Sequence, residues 1–272
     1  MTSRRLAVKV CGLTRPEDAL LAARLGASAL GVVFAPSPRR LDPRRAAVVL
    51  RGVPPDVVRV GVFVDPPPEL VAQAVIRCAL HWIQLSGDES AELAAELGAV
   101  AQRAAATSGR NAPPRILKTV HVQSPAELLA AADYPADGFL LDAPACDGRR
   151  GGTGRRFDWN AAASLPWPRE RVVLAGGLSP SNLAAAVSAV RPGAVDVCSA
   201  VEARPGIKDP GRMTAFLVAA RLVRIADVPG EGPRSPSVLA DVGRSEGGRG
   251  SDDWRAALDP ATALVAPAEG SR

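Results

Sequence analysis

Cys11 is a candidate general base or nucleophile, because it directly follows a short apolar run that ends at Val10. Lys9 lies two residues earlier, and alternate side chains of a strand share one face. A neighbouring cation lowers the pKa of a thiol from its usual value of about 8.5, so that more of the thiol is the reactive thiolate. The alternative is that Cys11 is a small core residue, as cysteine often is.

Asp142 is a candidate proton donor, because it follows the apolar run Phe139–Leu141. Desolvation of a carboxyl at such a strand end raises its pKa and can keep it protonated for use as a general acid. The alternative is a loop carboxylate that caps a helix or pairs with an arginine.

Three glycine-containing or small-residue segments follow predicted strands and can bind phosphate through backbone N–H groups. The start of a following helix adds a favourable dipole for an anion. A single glycine cluster describes a flexible loop equally well, but three such segments after successive strands are more specific. The candidate residues are Gly152, Gly154, Gly176, Gly177, Ser199 and Ala200.

Arg39 and Arg40 follow the second predicted strand, where a guanidinium can hold a carboxylate through two hydrogen bonds. Solvated loop arginines are the alternative. The two histidines, His81 and His121, have no partner at metal-ligand spacing, so we interpret them as structural or surface groups. We expect no metal ion.

Eight short aliphatic runs must position these residues, and each predicts a buried parallel strand. Helix starts between them are indicated by Asp42, Ser124 and Ser179, each followed by proline. Thr14–Glu17 and Ser124–Glu127 also fit the capping-box pattern. The predicted strands are Ala7–Val10, Ala29–Val33, Val58–Val64, Trp82–Leu85, Ile116–Thr119, Phe139–Leu141, Val172–Leu174 and Val195–Cys198.

Eight strand–helix repeats predict an α/β fold, a single (β/α)8 TIM barrel with its catalytic groups at the C-terminal ends of the strands. An open, doubly wound sheet is the alternative, but no G-x-G-x-x-G follows the first strand. We expect the barrel to occupy residues 1–226. From Asp227 onward glycine, proline and serine dominate, which is typical of a disordered tail over residues 227–272, with a short helix around Trp254–Leu258.

The amino-acid composition limits which kinds of binding partner are expected. The net charge is +5, but the basic residues are scattered and aromatics make up only 4%, so we expect no nucleic-acid partner. No apolar run is long enough to span a membrane, and the N-terminus has no signal-peptide pattern, so a cytoplasmic location is expected. The four cysteines form no C-x-x-C pair and are expected to be reduced thiols. A monomer and a homodimer are both compatible with the sequence.

Lysine is unusually rare: only Lys9, Lys118 and Lys208 occur among 33 basic residues. Each lies at or just after a predicted strand. Since lysine is a compact point charge and arginine a planar fork, these positions are predicted to require the ammonium group.

From about Val8 to Phe216 the chain resembles the phosphoribosylanthranilate isomerase family of tryptophan biosynthesis. Eight blocks in the family's order carry the resemblance. They are V-K-V-C-G-L-T at Val8–Thr14, G-V-V-F-A-P-S-P-R at Gly31–Arg39, V-G-V-F-V-D at Val60–Asp65, I-Q-L-S-G-D-E at Ile83–Glu89, L-L-D ending at Asp142, G-G-T-G-R-R-F-D-W at Gly151–Trp159, L-A-G-G-L-S-P-S-N at Leu174–Asn182, and V-D-V-C-S-A-V-E with P-G-I-K-D over Val195–Asp209.

The resemblance implies a (β/α)8 barrel that carries out an Amadori rearrangement of a phosphorylated aminoaldose without any cofactor. It implies that Asp142 protonates the furanose ring oxygen and that Cys11 removes the proton from C2 of the Schiff base. Arg39 would hold the substrate carboxylate, with Arg40 as the alternative because the loop is one residue shorter than the family pattern. The phosphate would lie on backbone groups of Gly154, Gly177 and the Ser199–Ala200 turn.

The chain departs from the family pattern at Ser86, where histidine is usual, and in Cys198–Ser199–Ala200, where S-S-G is usual. Alanine disfavours a positive φ, which can weaken a phosphate loop. These departures keep open a non-catalytic or altered-specificity paralogue that binds a phosphorylated sugar. A related isomerase of histidine biosynthesis is the other alternative, but it would be expected to carry carboxylates at both positions, and Cys11 argues against it.

Overall fold

A computed structural model describes residues 4–143, 157–162, 165–225 and 239. Eight strands alternate with helices, as the aliphatic runs predict. The strands are β1 Ala7–Val10, β2 Ala29–Val33, β3 Val58–Phe63, β4 Trp82–Leu85, β5 Arg115–His121, β6 Gly138–Asp142, β7 Val172–Leu174 and β8 Ala194–Val197. The helices are α1 Pro16–Arg24, α2 Pro43–Val49, α3 Pro68–Cys78, α4 Ala91–Thr107, α5 Pro125–Ala130, α6 Leu183–Val190 and α7 Pro210–Leu222.

The eight strands form a closed parallel barrel in chain order, which confirms the (β/α)8 fold and excludes the open sheet. The barrel closes where β1 pairs with β8, in a register that places Val10 opposite Val197. Between β6 and β7 the described residues contain 3-10 turns at Trp159–Ala162 and Arg169–Arg171. Another 3-10 turn, Ser199–Val201, follows β8 and leads into a short hairpin before α7.

Side-chain alternation divides each strand between two cores. On β1, Val8 and Val10 pack outward against helix residues such as Ala19. Ala7 points inward, where it joins the apolar cluster at the N-terminal end of the barrel. By the same alternation Lys9 and Cys11 also point inward, toward the C-terminal end. Polar chemistry is therefore confined to one end of the barrel interior.

Strand boundaries differ from the predictions by a few residues. β6 extends to Asp142, because this residue pairs with His121 of β5. β8 ends at Val197 rather than at Cys198, because Cys198 adopts φ −128° and ψ −83°, outside the extended region. The short 3-10 turn of the next loop begins there.

Helix starts follow the capping residues in two of the predicted places. Asp42 accepts hydrogen bonds from the N–H groups of Arg44 and Arg45, and Ser124 forms a complete capping box with Glu127. The capping box predicted at Thr14–Glu17 is wrong. The Thr14 hydroxyl donates to the Gly206 carbonyl instead, and α1 begins without a side-chain cap. Similarly, α6 begins at Leu183 rather than at the predicted Ser179–Pro180 start.

The two ends of the barrel sequence meet below the strands, where Arg4–Arg5 pairs antiparallel with Arg224–Ile225. Leu239 lies further along the chain and is fully buried in the interior cluster at the N-terminal end of the barrel. The remainder of the predicted tail, including Trp254–Leu258, lies outside the described residues. Within the described residues, no helix is both long and apolar enough to cross a membrane.

Candidate active site

Cys11 lies at the C-terminal end of β1, and its backbone N–H donates to the Val197 carbonyl at 2.9 Å. The residue is only 7% exposed. Its thiol belongs to a small interior cluster with Val33, Ala35 and Val62, against which Cys198 packs. The predicted base is therefore held inside the barrel mouth.

Lys9 lies two residues before Cys11, on the same face of β1, and is completely buried. Its Nζ lies 2.8 Å from Asp196 Oδ1 on β8. Burial lowers the pKa of Lys9, but the Asp196 carboxylate and Cys11 together outweigh this effect and raise it above its usual value. The ammonium therefore remains charged inside the barrel.

Several opposing effects set the pKa of Cys11. A hydrogen bond with the Cys198 thiol is the largest and lowers the pKa, burial raises it, the nearby Lys9 ammonium lowers it, and the Asp196 carboxylate raises it. The result is a Cys11 pKa of about 7, well below that of an ordinary thiol. A large share of Cys11 is then thiolate at neutral pH, as a base requires.

Asp142 ends β6, and its Oδ1 accepts the Ala143 N–H at 2.8 Å. Burial raises the pKa of Asp142; the Ala143 hydrogen bond and the neighbouring His121 only partly oppose this. The predicted desolvation of this carboxyl is thus present. His121 itself points toward the barrel mouth, with Nδ1 3.2 Å from the Ala143 carbonyl oxygen.

A pocket of about 370 Å³, partly open to solvent, lies over β6, β7 and β8. β6 and β1 are separated by β7 and β8 in the closed barrel, so Asp142 and Cys11 approach the mouth from different sides. The pocket brings together the predicted acid and two of the predicted phosphate segments. Its lining residues are Asp142, Ala175, Gly176, Gly177, Leu178, Asp196, Val197, Cys198, Ser199 and Ala200.

Gly176 and Gly177 both have positive φ, +80° and +61°, which explains glycine at these positions. A Cβ on Gly176 would lie 2.9 Å from the Ala143 nitrogen and 3.1 Å from Asp142 Oδ1. The loop is held by Asn182, whose side chain accepts the Ser179 N–H and donates to the Gly177 carbonyl. The backbone of this loop consequently lies directly against the acid.

Ser199 and Ala200 form the 3-10 turn at the opposite wall of the pocket. Ala200 does not require the positive φ that alanine disfavours, since non-glycine residues with positive φ in the described chain are Asp65, Ala79 and Arg191. Two further candidates, Gly152 and Gly154, lie outside the described residues.

Arg39, rather than Arg40, reaches the barrel mouth. Its Nε and Nη2 donate to the two carboxylate oxygens of Glu202 at 2.8 and 2.7 Å. Its Cδ would lie 2.5 Å from a Cβ placed on Gly12, next to Cys11. Arg40 is exposed. Sequence spacing could not decide which of the two arginines faces the barrel mouth. In the structure Arg39 points toward the mouth and Arg40 points toward solvent.

Ser86, which replaces the family's histidine, belongs to a buried polar cluster. Its hydroxyl lies 2.8 Å from that of Thr119, and Gln84 Nε2 donates to both at 3.1 and 3.2 Å. The hydroxyl of Ser86 therefore has hydrogen-bond partners within the barrel interior.

Sequence reasoning gave no role beside Cys11 to Asp196, Cys198, Glu202 or Lys208. Asp196 pairs with Lys9, and Lys208 Nζ donates to the carbonyls of Cys11 and Cys198 at 2.6 and 3.1 Å and to Glu202 at 3.0 Å. The period-two alternation of V-D-V-C on β8 is the signal that places Asp196 and Cys198 inside the barrel. Lys9, Lys118 and Lys208, the three lysines that the sequence singled out, are all buried in ion pairs.

A buried thiol whose pKa is lowered, a partly buried carboxyl whose pKa is raised and two glycine- and small-residue loops meet at the C-terminal end of one barrel. Fold and site together define a class: a (β/α)8-barrel enzyme equipped for acid–base chemistry on an anionic ligand.

Comparison with known proteins identifies the family. The family model described as N-(5'-phosphoribosyl)anthranilate (PRA) isomerase matches residues 8–219. An N-(5'-phosphoribosyl)anthranilate isomerase of Trichlorobacter lovleyi is 42% identical over 211 residues, covering 77% of this chain and 95% of the relative. The chain therefore belongs to the phosphoribosylanthranilate isomerase family, and its reaction is the aldose–ketose rearrangement of tryptophan biosynthesis.

Solved structures agree with this assignment. Phosphoribosyl anthranilate isomerase from Thermus thermophilus is 40% identical, with a TM-score of 0.64 over 79% of this chain and 98% of that one. A phosphoribosyl anthranilate isomerase in complex with reduced 1-(o-carboxyphenylamino)-1-deoxyribulose 5-phosphate is 36% identical, with a TM-score of 0.65 and the same coverage. A non-catalytic paralogue is not favoured by these matches.

Proposed function

We propose that Cys11 is the general base and Asp142 the general acid in the rearrangement of N-(5'-phosphoribosyl)anthranilate. The observation that carries the proposal is the pairing of a buried thiol whose pKa is lowered to about 7 with a partly buried carboxyl whose pKa is raised, at one barrel mouth. Groups whose environments push their pKa values in opposite directions are suited to opposite roles in proton transfer.

The first step uses Asp142. Its carboxyl proton passes to the furanose ring oxygen, the C1–O bond breaks, and the nitrogen lone pair forms the C1=N bond of a protonated Schiff base. The supporting observation is burial, which raises the pKa of Asp142 and so keeps more of the carboxyl protonated and available as a donor at neutral pH.

The second step uses Cys11. Its thiolate takes the proton on C2, the electron pair of that C–H bond forms C1=C2, and the C1=N electrons return to nitrogen. The resulting enolamine gains a proton at C1 and loses the C2 hydroxyl proton, which gives the ketose. Lys9, fixed by Asp196, supports the step by favouring the thiolate over the thiol.

The phosphate is proposed to lie against the backbone N–H groups of Gly176, Gly177, Ser199 and Ala200, with Gly152 and Gly154 completing the site. Supporting this, the first four residues line one pocket together with Asp142. Exposed backbone N–H groups in such concavities bind anions without a side-chain charge.

Arg39 is proposed to hold the anthranilate carboxylate. Glu202 occupies its Nε and Nη2, and these two hydrogen bonds fix the plane of the guanidinium. The remaining donors on Nη1 then point in a defined direction and can bind a second carboxylate.

A phosphorylated small molecule as the partner and a cytoplasmic location belong to the same proposal. The relative crystallised with a carboxyphenylamino-deoxyribulose phosphate supports the ligand class.

The test is turnover of phosphoribosylanthranilate, followed by the loss of its fluorescence, in the parent, Cys11→Ser and Asp142→Asn. We expect each variant to lose about 10²–10⁴-fold in kcat because each lacks one proton-transfer group. Cys78→Ser and Asp133→Asn are the matched controls, since Cys78 is buried against α2 and Asp133 is exposed away from the mouth. Full activity in a folded Cys11→Ser or Asp142→Asn protein would remove that residue from the mechanism.

A further inference from the structure

Cys11 and Cys198 occupy matching positions at the ends of two paired strands. β1 and β8 run parallel, with Lys9 opposite Asp196 and Val10 opposite Val197. Cys11 directly follows β1 and Cys198 directly follows β8. By alternation, both side chains lie on the same inward face as the Lys9–Asp196 ion pair. Paired strands lie about 4.8 Å apart, so the two side chains start within contact distance.

The space around both sulfur atoms is filled. A Cβ added to Gly12 would lie 2.9 Å from Cys198 Sγ, and one added to Gly31 would lie 2.8 Å from Cys11 Sγ. Cys198 packs against the interior cluster that contains Cys11. The two thiols are thus confined against each other by their neighbours.

The backbone of both cysteines is held by one group. Lys208 Nζ donates to the carbonyl oxygens of Cys11 and Cys198, and its third hydrogen bond goes to Glu202. Since an ammonium has three donors, these contacts use all of them. Lys208 therefore fixes the two residues relative to each other, while Cys198 Sγ is more distant from Nζ at 3.9 Å.

The Cys198 S–H group has two possible acceptors on this face, Glu202 and Cys11. Glu202 Oε1 is 4.0 Å away and already accepts hydrogen bonds from Arg39, Lys208 and the Gly206 N–H. The Cys11 thiolate is the better acceptor, because a charge-assisted hydrogen bond is stronger than a neutral one. The charged groups that face the two thiols are Lys9, Arg39, Asp196, Glu202 and Lys208.

Which thiol ionises follows from these neighbours. Cys11 lies beside the Lys9 ammonium, which outweighs the opposing Asp196 carboxylate, whereas a hydrogen bond with Cys11 and burial raise the pKa of Cys198 by more than the Lys208 and Arg39 charges lower it. Cys198 thus keeps its proton over the pH range in which Cys11 loses its own. One thiol is left as donor and the other as acceptor.

We propose that Cys198 is a positioning residue for the reaction, whose S–H donates a hydrogen bond to the Cys11 thiolate and so holds the base ionised and directed at the substrate. The inference rests on the proposed role of Cys11 as general base. A serine hydroxyl at this position can donate the same hydrogen bond, whereas alanine cannot.

The experiment titrates Cys11 directly through the ultraviolet absorbance of its thiolate under reducing conditions. The parent, Cys198→Ala and Cys198→Ser are each compared with the same protein carrying Cys11→Ser, so that the difference isolates Cys11. We expect a midpoint of about 7 in the parent. It should rise by about one pH unit or more in Cys198→Ala, and stay near the parent's in Cys198→Ser.

The midpoint of the acid limb in the pH profile of kcat/KM should shift together with the titration midpoint of Cys11. In Cys198→Ala, kcat/KM should fall about tenfold more at pH 6 than at pH 9, because a one-unit rise in pKa reduces the thiolate only below the new midpoint. Cys78→Ala, which removes a buried thiol elsewhere, should leave both curves unchanged. Thermal melting checks that each variant is folded.

An unchanged Cys11 midpoint in folded Cys198→Ala would overturn the inference while leaving Cys11 as the proposed base. A midpoint that moves while Cys11→Ser retains full turnover would overturn the assignment of the base, and with it the positioning role. A shift seen in Cys198→Ala and restored in Cys198→Ser supports the hydrogen bond.

Discussion

At the scale of single residues, the site depends on a fully buried cation. Lys9 is 0% exposed, and an isolated ammonium in such a place would lose its proton. Asp196, 2.8 Å away on the neighbouring strand, keeps it charged. Lys9 therefore keeps its positive charge two residues before Cys11, and this charge favours the thiolate more than the Asp196 carboxylate opposes it.

Replacing Lys9 by methionine should therefore damage both stability and chemistry. Removing one partner of a buried ion pair costs about 3–5 kcal/mol, and the unpaired Asp196 carboxylate would raise the pKa of Cys11. We expect kcat/KM at pH 7 to fall at least about tenfold, with the loss reduced at higher pH. Chemical denaturation and the pH–rate profile measure the two effects.

Lys118→Met is the matched control, because Lys118 forms a similarly buried ion pair with Glu89 at 2.6 Å. It should lose comparable stability and leave the pH–rate profile unchanged. If Lys9→Met and Lys118→Met had the same pH profile as the parent, the Lys9 charge would have no role in the ionisation of Cys11.

Among the secondary-structure elements and their loops, the loop after β7 places its own backbone directly against the Asp142 carboxyl. Gly176 combines a φ of +80° with an approach that leaves no room for a Cβ next to Ala143 and Asp142. Asn182 ties the loop to the start of α6. The carboxyl and the proposed phosphate loop thus share one rigid wall.

Gly176→Ala should lower stability by about 1–3 kcal/mol and also reduce activity, because the added methyl group must displace Asp142 or the Ala143 backbone. Gly109→Ala separates the two causes, since Gly109 has a φ of +73° but open space around its Cβ position. It should lose a similar backbone energy without any change in kcat. Melting curves and kcat for both variants provide the comparison; equal kcat in both would show that the approach to Asp142 is unimportant.

Local sequence patterns predicted the elements well because each is encoded by its own residues. Aliphatic runs located all eight strands, and Ser124–Glu127 formed the predicted capping box. The pattern at Thr14–Glu17 is equally good, yet Thr14 bonds to Gly206, which is distant in sequence. A tertiary partner therefore overrode the local preference.

The site was predictable in part for the same reason. Cys11 and Asp142 were found because strand ends face one barrel mouth. The Arg39–Glu202 ion pair and the contact between Cys11 and Cys198 depend on barrel closure, which joins the first strand to the last. Single-strand patterns contain no information about that pairing, so these partners emerged only from the structure.

At the scale of the whole molecule, the barrel interior is apolar at its N-terminal end and polar at the other. Ala7, Val58 and Trp82 form the apolar end, and Leu239 is buried with them. Leu239 lies beyond residues 8–219, the part of the chain that matches the family, so a residue outside the common barrel contributes to this core. The chemistry lies at the opposite end.

Leu239→Ala should consequently destabilise the protein without affecting turnover. Removing a buried leucine side chain costs about 2–5 kcal/mol. Leu129→Ala is the control, because Leu129 is 68% exposed and its replacement should change the melting temperature little. Thermal melting and kcat of both variants check this; a melting temperature unchanged by Leu239→Ala would contradict the contribution of Leu239 to the core.

Removal of the substrate proton by the Cys11 thiolate, as we propose, can be tested through the pH dependence of kcat/KM. Because the pKa of Cys11 is lowered to about 7, kcat/KM should fall about tenfold per pH unit as the pH drops below this value and the thiolate is protonated. We expect this acid limb in the parent and expect it to be absent from the residual activity of Cys11→Ser. A parent profile that stays flat through pH 7, or the same limb in Cys11→Ser, would contradict it.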